Sequence, residues 1–146
     1  MSKTIVLAIV MAWMVLTGLT QAFAGNSHEW IKLDENPETY FYFDKGEVAK
    51  LPGDIVRITA RVVYTAKGKE DALTVLEPAK LFENLAESRY IYNLDCNLRK
   101  SKLQSVTHLS DDGSMIKTVD LSTVTEWEEI TPNERLELIR ASACSP

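Results

Sequence analysis

Trp127-Glu128-Glu129-Ile130-Thr131-Pro132-Asn133-Glu134, running into Arg135–Cys144, is the stretch that decides the fold. It predicts a helix with its own start signal. Thr131 stands at the N-cap, Pro132 at the first helical position and Glu134 three residues after the cap, the pattern of a capping box. Leu136, Ile139 and Ala143 then share one face at helical spacing. The helix ends at Cys144. The other cysteine of the chain, Cys96, closes the run Tyr90-Ile91-Tyr92-Asn93-Leu94-Asp95-Cys96. The pair reads as a bolt between the last helix and a sheet.

The opposite end of the chain sets the compartment. Lys3 supplies a short positive start, Ile5–Leu19 an apolar run, and Ala22-Phe23-Ala24 the small residues of a cleavage site. Residues 1–24 therefore read as a cleaved signal peptide. The run is shorter than the roughly 20 apolar residues of a membrane span, so no transmembrane segment is expected in the mature chain. No cysteine follows the cleavage site, which speaks against a lipoprotein. The expected location is the periplasm or the extracellular space.

Cleavage leaves residues 25–146, 122 residues and one domain, with length enough for a core. Lys3 is the only charge of the leader, so the net charge moves from −5 to −6. An acidic domain is a poor match for nucleic acid. Two cysteines in an exported chain usually pair. Two alone, without C-x-x-C, make neither a zinc site nor a redox pair.

Alternation dominates the middle of the chain. Trp30–Leu33 and the aromatic Tyr40–Phe43 are strand candidates. Leu51-Pro52-Gly53-Asp54 has Pro and Gly at the centre of a type II turn. After it, Val56, Ile58, Ala60, Val62 and Tyr64 share one face, with Arg57, Thr59 and Arg61 turned to solvent on the other. Lys67-Gly68-Lys69 ends that strand. In residues 71–87 Pro78 opens a short helix carrying Leu81, Phe82 and Leu85, with strand as the other reading. Tyr90, Tyr92, Leu94 and Cys96 then share a face. Lys102–Leu109 and Ser114–Val119 form a hairpin around Asp112-Gly113. The expected fold class is α+β: an antiparallel β-sheet of about six strands with a C-terminal α-helix tied to it by a Cys96–Cys144 disulfide.

The sequence carries no recognisable catalytic or metal-binding motif. His28, in a polar leader expected to be loose, and His108, expected on a sheet surface, are the two histidines. No nucleophile elbow, phosphate loop or calcium loop is present. Glu126, Glu128 and Glu129 read as a solvated rim at a helix start. Arg57 and Arg61, together with Lys100 and Lys102, are candidates for a basic patch, against the commoner pairing with acids across strands. Trp127 has two readings: packing over the disulfide to close the core, or an exposed anchor for a partner.

The aromatic strand ending in Tyr42-Phe43-Asp44, the strand Ile55-Val56-Arg57-Ile58, Tyr92-Asn93-Leu94-Asp95-Cys96, the Asp112-Gly113 hairpin and Glu126–Pro132 running to a late cysteine occur in one order. In this the chain resembles the bacterial surface-adhesin protein E-like family, over about Trp30–Cys144. The resemblance implies a sheet with a disulfide-tied C-terminal helix. It also implies a small exported binding protein. The leading expectation is a non-enzymatic binding module without cofactor, whose partner is a protein of the host matrix or the cell envelope. Arg57, Arg61 and Trp127 are the candidate contacts. A structural or accessory envelope protein, an inhibitor of a secreted enzyme and, behind these, a small hydrolase are the competing readings.

Overall fold

The computed structural model describes residues 27–145. The signal peptide expected over Met1–Ala24 lies outside the described residues. Eight strands form one antiparallel sheet: β1 (Trp30–Glu35), β2 (Thr39–Asp44), β3 (Ala49–Leu51), β4 (Ile55–Tyr64), β5 (Leu85–Asp95), β6 (Lys100–Ser110), β7 (Met115–Asp120) and β8 (Glu128–Glu129). Six of them run in the spatial order β1-β2-β4-β5-β6-β7, while β3 pairs with β4 and β8 with β6. Helix α1 spans Ala66–Leu73 and helix α2 Arg135–Ala143. The class is α+β, as the alternation and the terminal helix suggested.

The chain turns at both glycines singled out in the sequence. Gly53 and Gly113 each adopt φ of 82°, the left-handed region that glycine enters without a Cβ penalty. β2 and β3 lie along the same edge of β4, with a 3-10 turn (Lys45–Glu47) between them.

One face of the sheet carries the core. Phe41, Phe43, Val56, Ile58, Ala60 and Leu94 pack with Ile130 and Ile139, and Leu136, Ala143, Cys96 and Cys144 border them. Ile58, Leu94 and Ile139 are completely covered. The helix thus buries the face its spacing predicted. The Cys96–Cys144 disulfide is formed, with Cα atoms 5.5 Å apart and a sequence separation of 48. Arg135 adds a second tie, donating to Asp34 Oδ2 at 2.7 Å and to Thr39 Oγ1 at 2.8 Å across the Phe41 ring.

The helix start differs from the expectation. Thr131–Glu134 is a turn closed by Glu134 N–H donating to the Thr131 carbonyl at 3.2 Å, and α2 begins at Arg135. The residue at the N-cap is Glu134, and its side chain caps nothing. Ile130 explains the shift. It is 4% exposed, and its amide donates to the Arg99 carbonyl. Holding Ile130 in the core next to strand β8 keeps Thr131-Pro132 in the turn that leads away from it.

The segment after β4 also differs. Lys67-Gly68-Lys69 lies inside α1 and does not end a strand in a turn. Thr65 is the N-cap, its Oγ1 accepting from Gly68 N–H at 3.1 Å and donating to the Pro37 carbonyl at 2.7 Å. Gly68 is there for packing: a Cβ would run into the Glu38 carbonyl. Pro78 opens a 3-10 turn (Ala79–Phe82), and Leu85 already belongs to β5. Phe82 is buried edge-on against His108, 5.2 Å between ring centres.

Candidate binding face

The face of the sheet opposite the core is built by the same alternation. Arg61 on β4 is paired across the ladder with Tyr42 of β2 and with Arg89 of β5. Trp30 opens β1, beside Lys32, whose ladder partner is Tyr42. The result is a compact cation–aromatic cluster. The Arg61 guanidinium lies 5.3 Å from the Trp30 ring centre and 5.4 Å from that of Tyr42, and the Arg89 guanidinium lies 5.5 Å from Trp30. Lys32 stands 5.7 Å from the Tyr40 ring centre on the same face.

Two guanidiniums on one indole repel each other unless a carboxylate separates them. Glu87 does this. Its Oε2 accepts from Arg61 Nε at 2.7 Å and Nη2 at 2.5 Å, and its Oε1 from Arg89 Nε at 2.8 Å. Glu87 is 8% exposed, while both arginines remain half-exposed. The group therefore keeps one net positive charge on an acidic protein. Its N–H forks are held in place by ring stacking and ion pairing, so little side-chain freedom is left to lose on binding.

Arg57 lies four residues before Arg61 on β4, exposed, donating to Asn93 Oδ1 at 3.1 Å. Asn93 also faces Lys102 in the ladder, so Arg57, Asn93 and Lys102 form one cross-strand row, and Lys100 faces Asp95. The patch expected from Arg57 and Arg61 is therefore part basic and part neutralised. Arg61, expected to point freely to solvent, is half-covered because Trp30, Tyr42 and Glu87 enclose it. Val62, expected in the core, is half-buried at its border.

Trp127 is 37% exposed and does not close the core, the first of its two readings. Ile130 takes that place. Strands β5 and β6 separate Trp127, just ahead of β8, from Arg57 and Arg61 on β4, so these candidates do not form one site. Glu126, Glu128 and Glu129 are exposed beside it.

Sequence reasoning missed Trp30, Tyr42, Glu87 and Arg89 as members of the cluster. The alternation of β5 puts Glu87 and Arg89 on one face. Their meeting with Arg61 depends on strand register, which a single sequence does not display.

His108 is buried, not on a sheet surface. Its Nδ1 lies 2.7 Å from Ser88 Oγ, which lies 2.9 Å from the Tyr64 hydroxyl. Burial first, then Lys117, lowers the pKa of His108, and burial raises that of Tyr90 beside the same network. Ser88 is wholly covered, so this serine–histidine contact ties strands together and presents no nucleophile to solvent.

Among the described residues no helix is long and apolar enough to cross a membrane. No model of a known protein family matches the chain, and no curated protein matches it in sequence.

Proposed function

We propose that the chain is an exported, non-enzymatic binding protein of the cell envelope, of the surface-adhesin protein E type, and that its partner is a protein. The observation that carries this reading is the pair of guanidiniums stacked on Trp30 and held apart by Glu87. Trp, Tyr and Arg are the side chains that most often dominate protein interfaces, and here they stand together on a rigid sheet. α2, Ile130 and the 3-10 turn with Phe82 occupy the other face, leaving this one to a partner. The disulfide suits an oxidising compartment. The sheet with its disulfide-tied terminal helix agrees with what the resemblance to the adhesin family implies. The chemistry favours a partner segment bearing carboxylates, supplied by a host-matrix or envelope protein. The net negative charge of the domain disfavours nucleic acid.

The test is affinity capture from envelope extract and from extracellular matrix, with the wild-type domain and with Trp30→Ala, Arg89→Ala and Trp127→Ala. Circular dichroism establishes that each variant is folded. The captured protein should bind at least about tenfold more weakly to the Trp30 and Arg89 variants and equally well to Trp127→Ala. Equal capture by all four would refute the assignment of this face.

A further inference from the structure

At the edge of the sheet, three metal-ligating side chains from separate segments converge. His28 precedes β1, Asp44 ends β2 and Glu47 ends the 3-10 turn after it. Their ligand atoms all lie within 4.8 Å of one another. His28 Nδ1 is 2.5 Å from Asp44 Oδ2 and 3.5 Å from Glu47 Oε1. From the structure we infer a divalent-cation site, most suited to zinc, formed by His28 Nδ1, Asp44 Oδ2 and Glu47 Oε1.

Ligands about 2.0–2.2 Å from a tetrahedral zinc stand roughly 3.3–3.5 Å apart, so the His28–Glu47 spacing already fits. The His28–Asp44 pair, 2.5 Å apart, has to open by somewhat under about 1 Å to admit the ion. One imidazole and two carboxylates form a mixed nitrogen–oxygen set, which suits zinc better than calcium or magnesium.

The surroundings of the three ligands are equally specific. Asp44 is completely buried at the end of a strand. Its Oδ1 accepts from Glu29 N–H at 2.9 Å and Gly46 N–H at 3.0 Å, which turns Oδ2 toward His28. The His28 ring stacks on Trp30, 5.4 Å between centres and 21° from parallel. A Cβ at Gly46 would strike the Ser27 carbonyl, so glycine lets the leader come close enough to deliver His28. Outer contacts of this kind fix ligand orientation in metal sites. His28 and Glu47 keep solvent access, which gives the ion an entry path and leaves a fourth position for water. Residues 27–29, in the leader expected to be loose, are pinned here; Lys45 N–H also donates to the Glu29 carbonyl at 2.9 Å.

Zinc chloride titrated calorimetrically into tag-free protein tests the site. One ion per chain is expected. His28→Ala and Glu47→Gln should each weaken binding about tenfold or more. Glu47→Gln preserves size and lies at a half-exposed position, so it remains informative if another variant is poorly folded. Cobalt in place of zinc should give the visible absorption of a tetrahedral centre and lose it in His28→Ala. No saturable zinc uptake by the wild type, or equal affinity in the His28 and Glu47 variants, would overturn the inference. Neither result bears on the Trp30–Arg61–Arg89 face, whose test uses no metal.

Discussion

Replacing both cysteines, Cys96→Ser with Cys144→Ser, perturbs the bond that fastens α2 to the sheet. The bridge spans 48 residues. In the chain-entropy view, closing a loop of that length removes about 4 kcal/mol of unfolded-state freedom, an upper figure for its contribution to stability. What remains for the helix is modest. Ile139 is fully buried and contributes about 1.5–3 kcal/mol, while Leu136 and Ala143 are partly covered. The Arg135–Asp34 pair is partly exposed and adds little. The double variant should fold and lose roughly 2–4 kcal/mol, which moves a urea midpoint down by about 1–2 M. Native-state hydrogen exchange should show where the loss falls: amides of α2 exchange by local opening, while those of β4 and β5 follow global unfolding. A loss under about 1 kcal/mol, or an α2 no less protected than in the wild type, would refute the idea that the disulfide holds the helix.

Three further predictions concern packing and charge. Ile58→Ala should cost about 2–5 kcal/mol because Ile58 is wholly buried, whereas exposed Arg57→Ala should stay within about 0.5 kcal/mol; urea melts of the two report which face of β4 meets the core. Gly68→Ala should destabilise although alanine is the better helix former, because its Cβ meets the Glu38 carbonyl; thermal melting gives the sign. Hydrogen bonds from the Ser110 and Ser114 hydroxyls and the Ser114 amide hold Asp112 at about 2, below its ordinary 3.8. A depressed carboxyl stabilises the fold above the unfolded value and loses that contribution as pH falls through the folded one. The hairpin should therefore loosen between about pH 4 and pH 2, seen as faster amide exchange at Gly113 and Ser114, and Asp112→Asn should abolish that dependence.

What the sequence displays is local. Alternation in Val56–Tyr64 and Tyr90–Cys96 identifies the core face of β4 and β5, and glycine at positions 53 and 113 marks two turns. The spacing Leu136, Ile139, Ala143 identifies the buried stripe of α2. The errors arise where tertiary contact outweighs a local signal. Thr131-Pro132-Asn133-Glu134 has the pattern of a capping box, yet the burial of Ile130 and its bond to Arg99 turn it into a turn. Lys67-Gly68-Lys69 looks like a strand terminator, yet Thr65 caps a helix there and Gly68 fits against Glu38. Trp127, large and aromatic, has the core as one of its two readings, but it stays 37% exposed and the smaller Ile130 three residues later is the one buried. The candidate site shows the same limit more sharply. Arg61 is legible on its strand, but its partners Trp30, Glu87 and Arg89 come from other strands whose register appears only in the folded sheet.

The Trp30–Arg61–Arg89 face is the proposed contact surface. It is tested most directly by oxidative footprinting of the domain, free and bound to the protein obtained by affinity capture. Trp30 is half-buried and Trp127 is 37% exposed, so both indoles can be modified in the free domain. Protection of Trp30 and Tyr42 on binding, with Trp127 modified as before, is the result predicted. Protection of Trp127 with Trp30 unchanged would place the contact on the far side of β6 and contradict the account.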